Sequence, residues 1–103
     1  MIPNRVQLLD QALELTHRML ENAAADEWQQ VIGQEIERRR LLEQAFSTRE
    51  PLDEFLAARV RRLLELDKHL LEASTRLRDE IGGEIAQLNR GNRASNAYRA
   101  NIA

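Results

Sequence analysis

Glu14-Leu15-Thr16-His17 is a Glu-x-x-His, a spacing that puts a carboxylate and an imidazole on one face of a helix. Four-helix bundles use that unit in pairs to hold two metal ions. This chain has only one. Its other histidine, His69, has Glu65 four residues before it, which is the wrong offset. A metal site would also need two more inward carboxylates and a fourth long helix. The sequence therefore predicts no metal, and places His17 and His69 at flanking or exposed positions. No Ser-His-Asp set, Gly-rich phosphate loop or carboxylate pair stands out for catalysis. There is no cysteine, which excludes thiol nucleophiles, Cys-based zinc sites and disulfides together. Neither an enzyme nor a cofactor is expected.

The charges in WQQVIGQEIERRRLLEQAF, residues 28 to 46, ask a different question. Trp28, Val31, Ile32, Leu42 and Phe46 fall on one side of a helix, yet Glu35 and Arg39 lie on that same side. Folding this helix back on the next about residue 49 brings Arg39 near Arg59. The expected arrangement is a structural ion group. Glu35 is shared by Arg39, at i+4 on its own helix, and by Arg59 across the hairpin. Such a group fixes register more than it adds stability. Arg38-Arg39-Arg40 does not make a nucleic-acid stripe, because on a helix the three point ~100° apart. Net charge is −2, and only the tail after Glu84, with Arg90, Arg93 and Arg99, is basic. The tail NRGNRASNAYR has the composition of a nucleic-acid arm, but a solvated terminus or docking element is preferred.

These residues need elements to position them. With 103 residues, the chain has the length of one small domain, and 43% apolar with 31% charged residues is ordinary for a folded soluble chain. Four Gly and two Pro leave few breaks, so the fold class expected is all-α. Residues 4–24 carry Val6, Leu9, Leu13, Thr16 and Leu20 on one face, widened by Leu8, Ala12, Leu15 and Met19. A second helix is predicted over 26–46, with Asp26 as N-cap and Gln29 in capping-box position. A third is predicted over about 51–90, with Pro51 in its first turn and Ser47 or Thr48 as cap. Its stripe is Leu52, Leu56, Arg59, Leu63, Leu66, Leu70, Ala73, Leu77, Ile81, Glu84 and Leu88. Gly82-Gly83 interrupts it, and Gly91 with Asn89 and Asn92 is the stronger stop signal. A short tail helix is expected over about 93–101. MIPNRVQLLD lacks the apolar core of a signal peptide, and no run approaches the ~18 apolar residues of a membrane span. The expected location is the cytoplasm.

Length makes a partner-binding argument. At ~1.5 Å per residue the first two helices span ~30 Å each, and the third ~55–60 Å if unbroken. Antiparallel neighbours then cover the third helix only to about Ala73. Leu77, Ile81, Ile85 and Leu88 need another cover: the C-terminal tail, a second copy or another protein. Val60, Leu64 and Leu71 form a flank ~80–100° from the main stripe. They serve either a three-helix core or an apolar groove for a partner's amphipathic helix.

Two stretches resemble the FliT-type flagellar export chaperones. LLDQALELTHRMLENAAADEWQQVIGQEIERRRLLE is similar to the family's first two helices. LLELDKHLLEASTRLRDEIGGEIAQLNRGNRASNAY is similar to its third helix and C-terminal Asn-Ala-Tyr element. The ordered combination of Glu27-Trp28, Glu35 and Asn96-Ala97-Tyr98 carries the likeness, which covers residues 5 to 99. It implies a small all-α cytoplasmic chaperone of flagellar type III export. Such a chaperone holds the C-terminal helical segment of the filament cap protein and escorts it to the export ATPase and the export gate. Tyr98 matches the tyrosine element linked to gate docking. Val60, Leu64, Leu71, Leu77 and Ile81 are the residues of this chain placed at the client groove. In some members a C-terminal helix folds over that groove, and the chaperone also restrains the flagellar transcription regulator. Here five residues follow Tyr98, so any such helix is expected to be short. The alternative reading is a self-associating helical interaction domain, a homodimer without a secretion client.

Overall fold

The computed structural model describes residues 4–102, with side chains over 4–91. Three α-helices follow one another: α1 (Arg5–Ala24), α2 (Trp28–Ala45) and α3 (Glu54–Ile102). The described residues contain no strand, and the fold is all-α. The chain divides into two compact units, Met1–Ala73 and Ser74–Ala103. The boundary falls at Ala73, where the length argument ends the cover that α1 and α2 provide.

Local chemistry sets the helix ends. Asn4 caps α1 in a capping box: its side chain accepts from the Gln7 N–H at 2.8 Å, and the Gln7 side chain accepts from the Asn4 N–H at 3.0 Å. The α1–α2 turn corrects one expectation. Asp26 is not the N-cap of α2; it closes α1. Its φ is 60°, its N–H reaches the Ala23 carbonyl at 3.1 Å, and the Glu27 N–H reaches Asn22 at 2.8 Å. Those two bonds are a Schellman motif with Asp26 in the left-handed position. Glu27 then stands at the N-cap of α2 with no side-chain bond.

The second correction concerns α3. Pro51 precedes the helix, and Asp53 caps it by accepting from the Leu56 N–H at 2.8 Å. Ser47 is not free to cap α3, because its hydroxyl donates back to the Gln44 carbonyl at 2.8 Å. The third is that α3 runs through Gly82-Gly83 and Gly91 without a separate tail helix. Gly stops a helix by taking the left-handed conformation, and no described glycine has positive φ.

The core of the first unit lies in two clusters. One joins Leu8, Leu9 and Ala12 of α1 to Leu41 and Ala45 of α2 and Leu56 and Leu63 of α3. The other joins Met19 and Ala23 to Val31 and Leu70, with Leu20, Trp28 and Ala73 packed against it. The buried line of α1 is thus Leu8, Leu9, Ala12, Thr16, Met19 and Ala23, with Val6, Leu13 and Leu20 at its margin. Thr16 is fully buried, and its hydroxyl is satisfied by the Ala12 carbonyl of its own helix at 2.7 Å. In the second unit, Leu77 is half-buried, while Ile81, Ile85 and Leu88 are exposed along one helical face.

Candidate partner-binding surface

The buried face of α2 is Val31, Leu41 and Ala45, and nine residues lie between the first two. The gap on that face is filled by Arg38, whose side chain is only 11% exposed. Its guanidinium bonds the Asp67 carboxylate of α3, and Glu35 of its own helix at 2.5 Å. Its Nε is buried with no hydrogen-bond partner. Of the expected group, the Glu35–Arg39 pair at i+4 is present, and the Arg59 member is corrected. Arg39 is largely exposed, 3.8 Å from Glu35, and Arg59 bonds Asp10 of α1 at 2.6 Å and the Phe55 carbonyl at 2.9 Å.

Side-chain direction explains the shift. In a helix, side chains lean toward the N-terminus. Arg38 reaches about one turn back toward Gln34, and the shorter Asp67 about half a turn back toward Glu65. In an antiparallel hairpin those two levels face each other. A register drawn from Cα to Cα puts opposite Arg38 a residue that its tip never meets. One turn before Arg38 on the same face, toward α1, Gln34 accepts from the Asn22 side chain at 3.0 Å. The middle of α2 is thus polar toward both neighbours, between the two apolar clusters.

Asp67 marks the edge of α3 that faces α2. Leu64 and Leu71, three before and four after it, share that edge. They are 64% and 67% exposed, against 4% for Leu66. On α2, Ile32 is three residues before Glu35 and is 64% exposed; Ile36, one turn on, is 68% exposed. Leu64 and Leu71 therefore line the edge of α3 beside Asp67, and Ile32 stands on the flank of α2 beyond Glu35, whereas Ile36 lies opposite Ala45 on the solvent side of α2. Single exposed apolar residues need no explanation, but pairs set along one seam do. Val60, expected beside Leu64, is half-buried against the first cluster and serves the core. Ile81 of the second unit is 46% exposed, and Leu77 is half-buried. The Tyr98 side chain lies outside the described residues. Ile32 and Ile36 were missed because the sequence assigned Ile32 to the buried face. Their signal is an Ile pair at i, i+4 that the Val31–Leu41–Ala45 line leaves outside.

The remaining charges are solvated pairs. Arg40 donates to both Glu37 oxygens, at 3.0 and 2.5 Å, which holds the Glu37 carboxyl below its ordinary range and raises Arg40. Among the described residues, no three His, Asp or Glu side chains gather as metal ligands would. No described helix is long and apolar enough to cross a membrane.

The class these features define is a helical binding module, with apolar surface beside a polar seam. The family model described as "Flagellar protein FliT" matches residues 6–100, nearly the whole chain. The chain belongs to the FliT family, and with it to the flagellar export chaperones. Comparison with curated proteins and with solved structures returns no significant match.

Proposed function

We propose that this chain is a cytoplasmic chaperone that binds the C-terminal helical segment of the flagellar filament cap protein and delivers it for export. The observation that carries the reading is the exposed aliphatic edge of α3 beside Asp67, Leu64 and Leu71, with exposed Ile32 on the neighbouring flank of α2. An amphipathic client helix buries its own apolar face by lying on such a border. The client is named by the resemblance of the two sequence stretches, and so are the export ATPase and export gate as delivery partners. Tyr98 is the residue proposed for gate docking. In the second unit, Leu77 and Ile81 are proposed as separate apolar contacts.

Calorimetric titration with a peptide from the C-terminal end of the same organism's cap protein tests the client assignment. The expected result is saturable one-to-one binding with a negative heat-capacity change, the sign of apolar burial. No binding at high micromolar peptide would overturn it. Tyr98→Ala is expected to leave peptide affinity unchanged while impairing delivery, so lost affinity would remove Tyr98 from the docking role. A second reading, self-association, is favoured by the exposed face Ile81, Ile85 and Leu88. Light scattering over a concentration series separates the two, because only a self-associating chain gains mass with concentration.

A further inference from the structure

The core of the first unit is cut across its middle. The Leu9–Leu41–Leu63 cluster lies on one side and the Met19–Val31–Leu70 cluster on the other. Between Val31 and Leu41, α2 buries no apolar residue; Arg38 occupies its buried face, with Glu35 and Gln34 half-buried beside it. Its attachment to α3 at that level is the Arg38–Asp67 ion pair. That pair is imperfectly satisfied. Arg38 is desolvated with Nε unpaired, while Asp67 is 42% exposed, so water competes for one partner and not for the other.

We infer that Glu35, Arg38 and Asp67 form a latch that lets the Trp28–Arg38 half of α2 open from α3 while the Leu41–Ala45 half stays packed. Closed, the latch buries Val31 and Leu70. Open, it adds them to the apolar border of Ile32 and Leu71, giving an arriving client helix a deeper seat. This rests on the proposed client-binding role of the seam, of which it is the regulation. The charged partners of Arg38 are Glu35 and Asp67, and Glu35 also faces Arg39 at 3.8 Å. A latch made of ions costs desolvation each time it closes, so the Trp28–Arg38 half, held otherwise by the smaller Val31–Leu70 cluster, is fastened less firmly than a continuous apolar joint would fasten it. Opening in cooperative sub-global units is the physical form such a motion takes.

Native-state hydrogen exchange on the full-length chain, followed residue by residue by NMR, tests this. In the wild type, amides from Val31 to Arg38 are expected to exchange at least ten-fold faster than those from Leu41 to Ala45. Arg38→Met replaces the latch with an apolar joint. It is expected to slow the first group to the rate of the second and to weaken cap-protein peptide binding several-fold. Asp67→Asn, at a half-exposed position, removes one clasp and is expected to speed the first group alone. Asp67→Asn thus keeps a test available if Arg38→Met fails to fold. Uniform exchange along α2 in the wild type, or equal changes in both groups in the variants, would overturn the latch. Split exchange that merges in Arg38→Met, with no peptide binding by any protein, would leave the latch standing and remove the chaperone reading of the seam.

Discussion

Asp26 is a non-glycine residue held at φ 60°, a conformation that costs an L-residue roughly 1–2 kcal/mol. Its carboxylate recovers part of that by accepting from the Trp28 indole N–H at 3.3 Å. Glycine at the C′ position of a Schellman motif carries no such cost. Asp26→Gly is therefore expected to raise stability by about 0.5–1 kcal/mol, the strain relieved less an exposed hydrogen bond. Urea unfolding checks it, and a lower midpoint would show that the indole contact outweighs the strain. The same residue marks a limit of what is legible in the chain. An Asp before an apolar run reads equally as the cap of the next helix or the stop of the last one. The choice depends on whether the Ala23–Ala25 backbone continues, and alanine is silent on that. Arg38 was hidden for a related reason. Three consecutive arginines can each be the buried one, and a rotation of ~100° decides which.

At the scale of elements, the all-α class, the first three helices and the core stripe of α3 from Leu56 to Ala73 were readable from spacing, while the separate tail helix was not borne out. The inner line of α1 was shifted by about one residue, because its apolar face is wide enough to turn either way. Helix ends were less readable, since they depend on contacts distant in the chain. Arg5 is the clearest case. From the first turn of α1 its Nε donates to the Ala45 carbonyl at 2.9 Å, its Nη1 donates to the Glu50 backbone carbonyl at 3.1 Å, and its guanidinium sits 6.0 Å from the Phe46 ring centre. It is a cation on the C-terminal carbonyls of α2, where the helix dipole favours it. No pattern in residues 1–10 announces that partner. Arg5→Met keeps the stem and removes the donors. It is expected to cost about 1–2 kcal/mol in urea unfolding, as loss of charge-assisted bonds at a partly buried site predicts. A change below the error of the measurement would make Arg5 a surface residue only. In the second unit, a Cβ added at Gly82 or Gly83 meets nothing within 4 Å. Gly82→Ala and Gly83→Ala should each favour local helix by about 1 kcal/mol. Amides of the following turn should exchange more slowly, and faster exchange would mean that the glycines serve a bend.

At the scale of the whole molecule, the division of labour follows from where hydrocarbon is spent. Leu56, Leu63, Leu66 and Leu70 of α3 are buried, while Leu64 and Leu71, equally apolar, are left outside. A chain selected for stability alone would make those two polar, since an exposed leucine adds little to folding and invites association. Under the proposed function, partner binding offsets that cost. The candidate surface was half legible for the same reason. A leucine flank is visible in sequence, but whether it serves the core or solvent is decided by helix rotation, which sent Val60 inward and Leu64 outward. The consequence is a separation of stability from binding. Leu64→Asp with Leu71→Asp should leave the urea midpoint within about 0.5 kcal/mol of the wild type, as surface changes usually do. Cap-protein peptide affinity should fall at least ten-fold, because each aspartate places a charge where the client needs apolar contact. Leu66→Asp is the opposing control: it buries a carboxylate in the core and should unfold the first unit. Intact folding with unchanged affinity in the double variant would exclude the α2–α3 seam as the client's seat. The peptide would then have to be sought on the Ile81–Leu88 face of the second unit, where Ile81→Asp and Leu88→Asp provide the corresponding test.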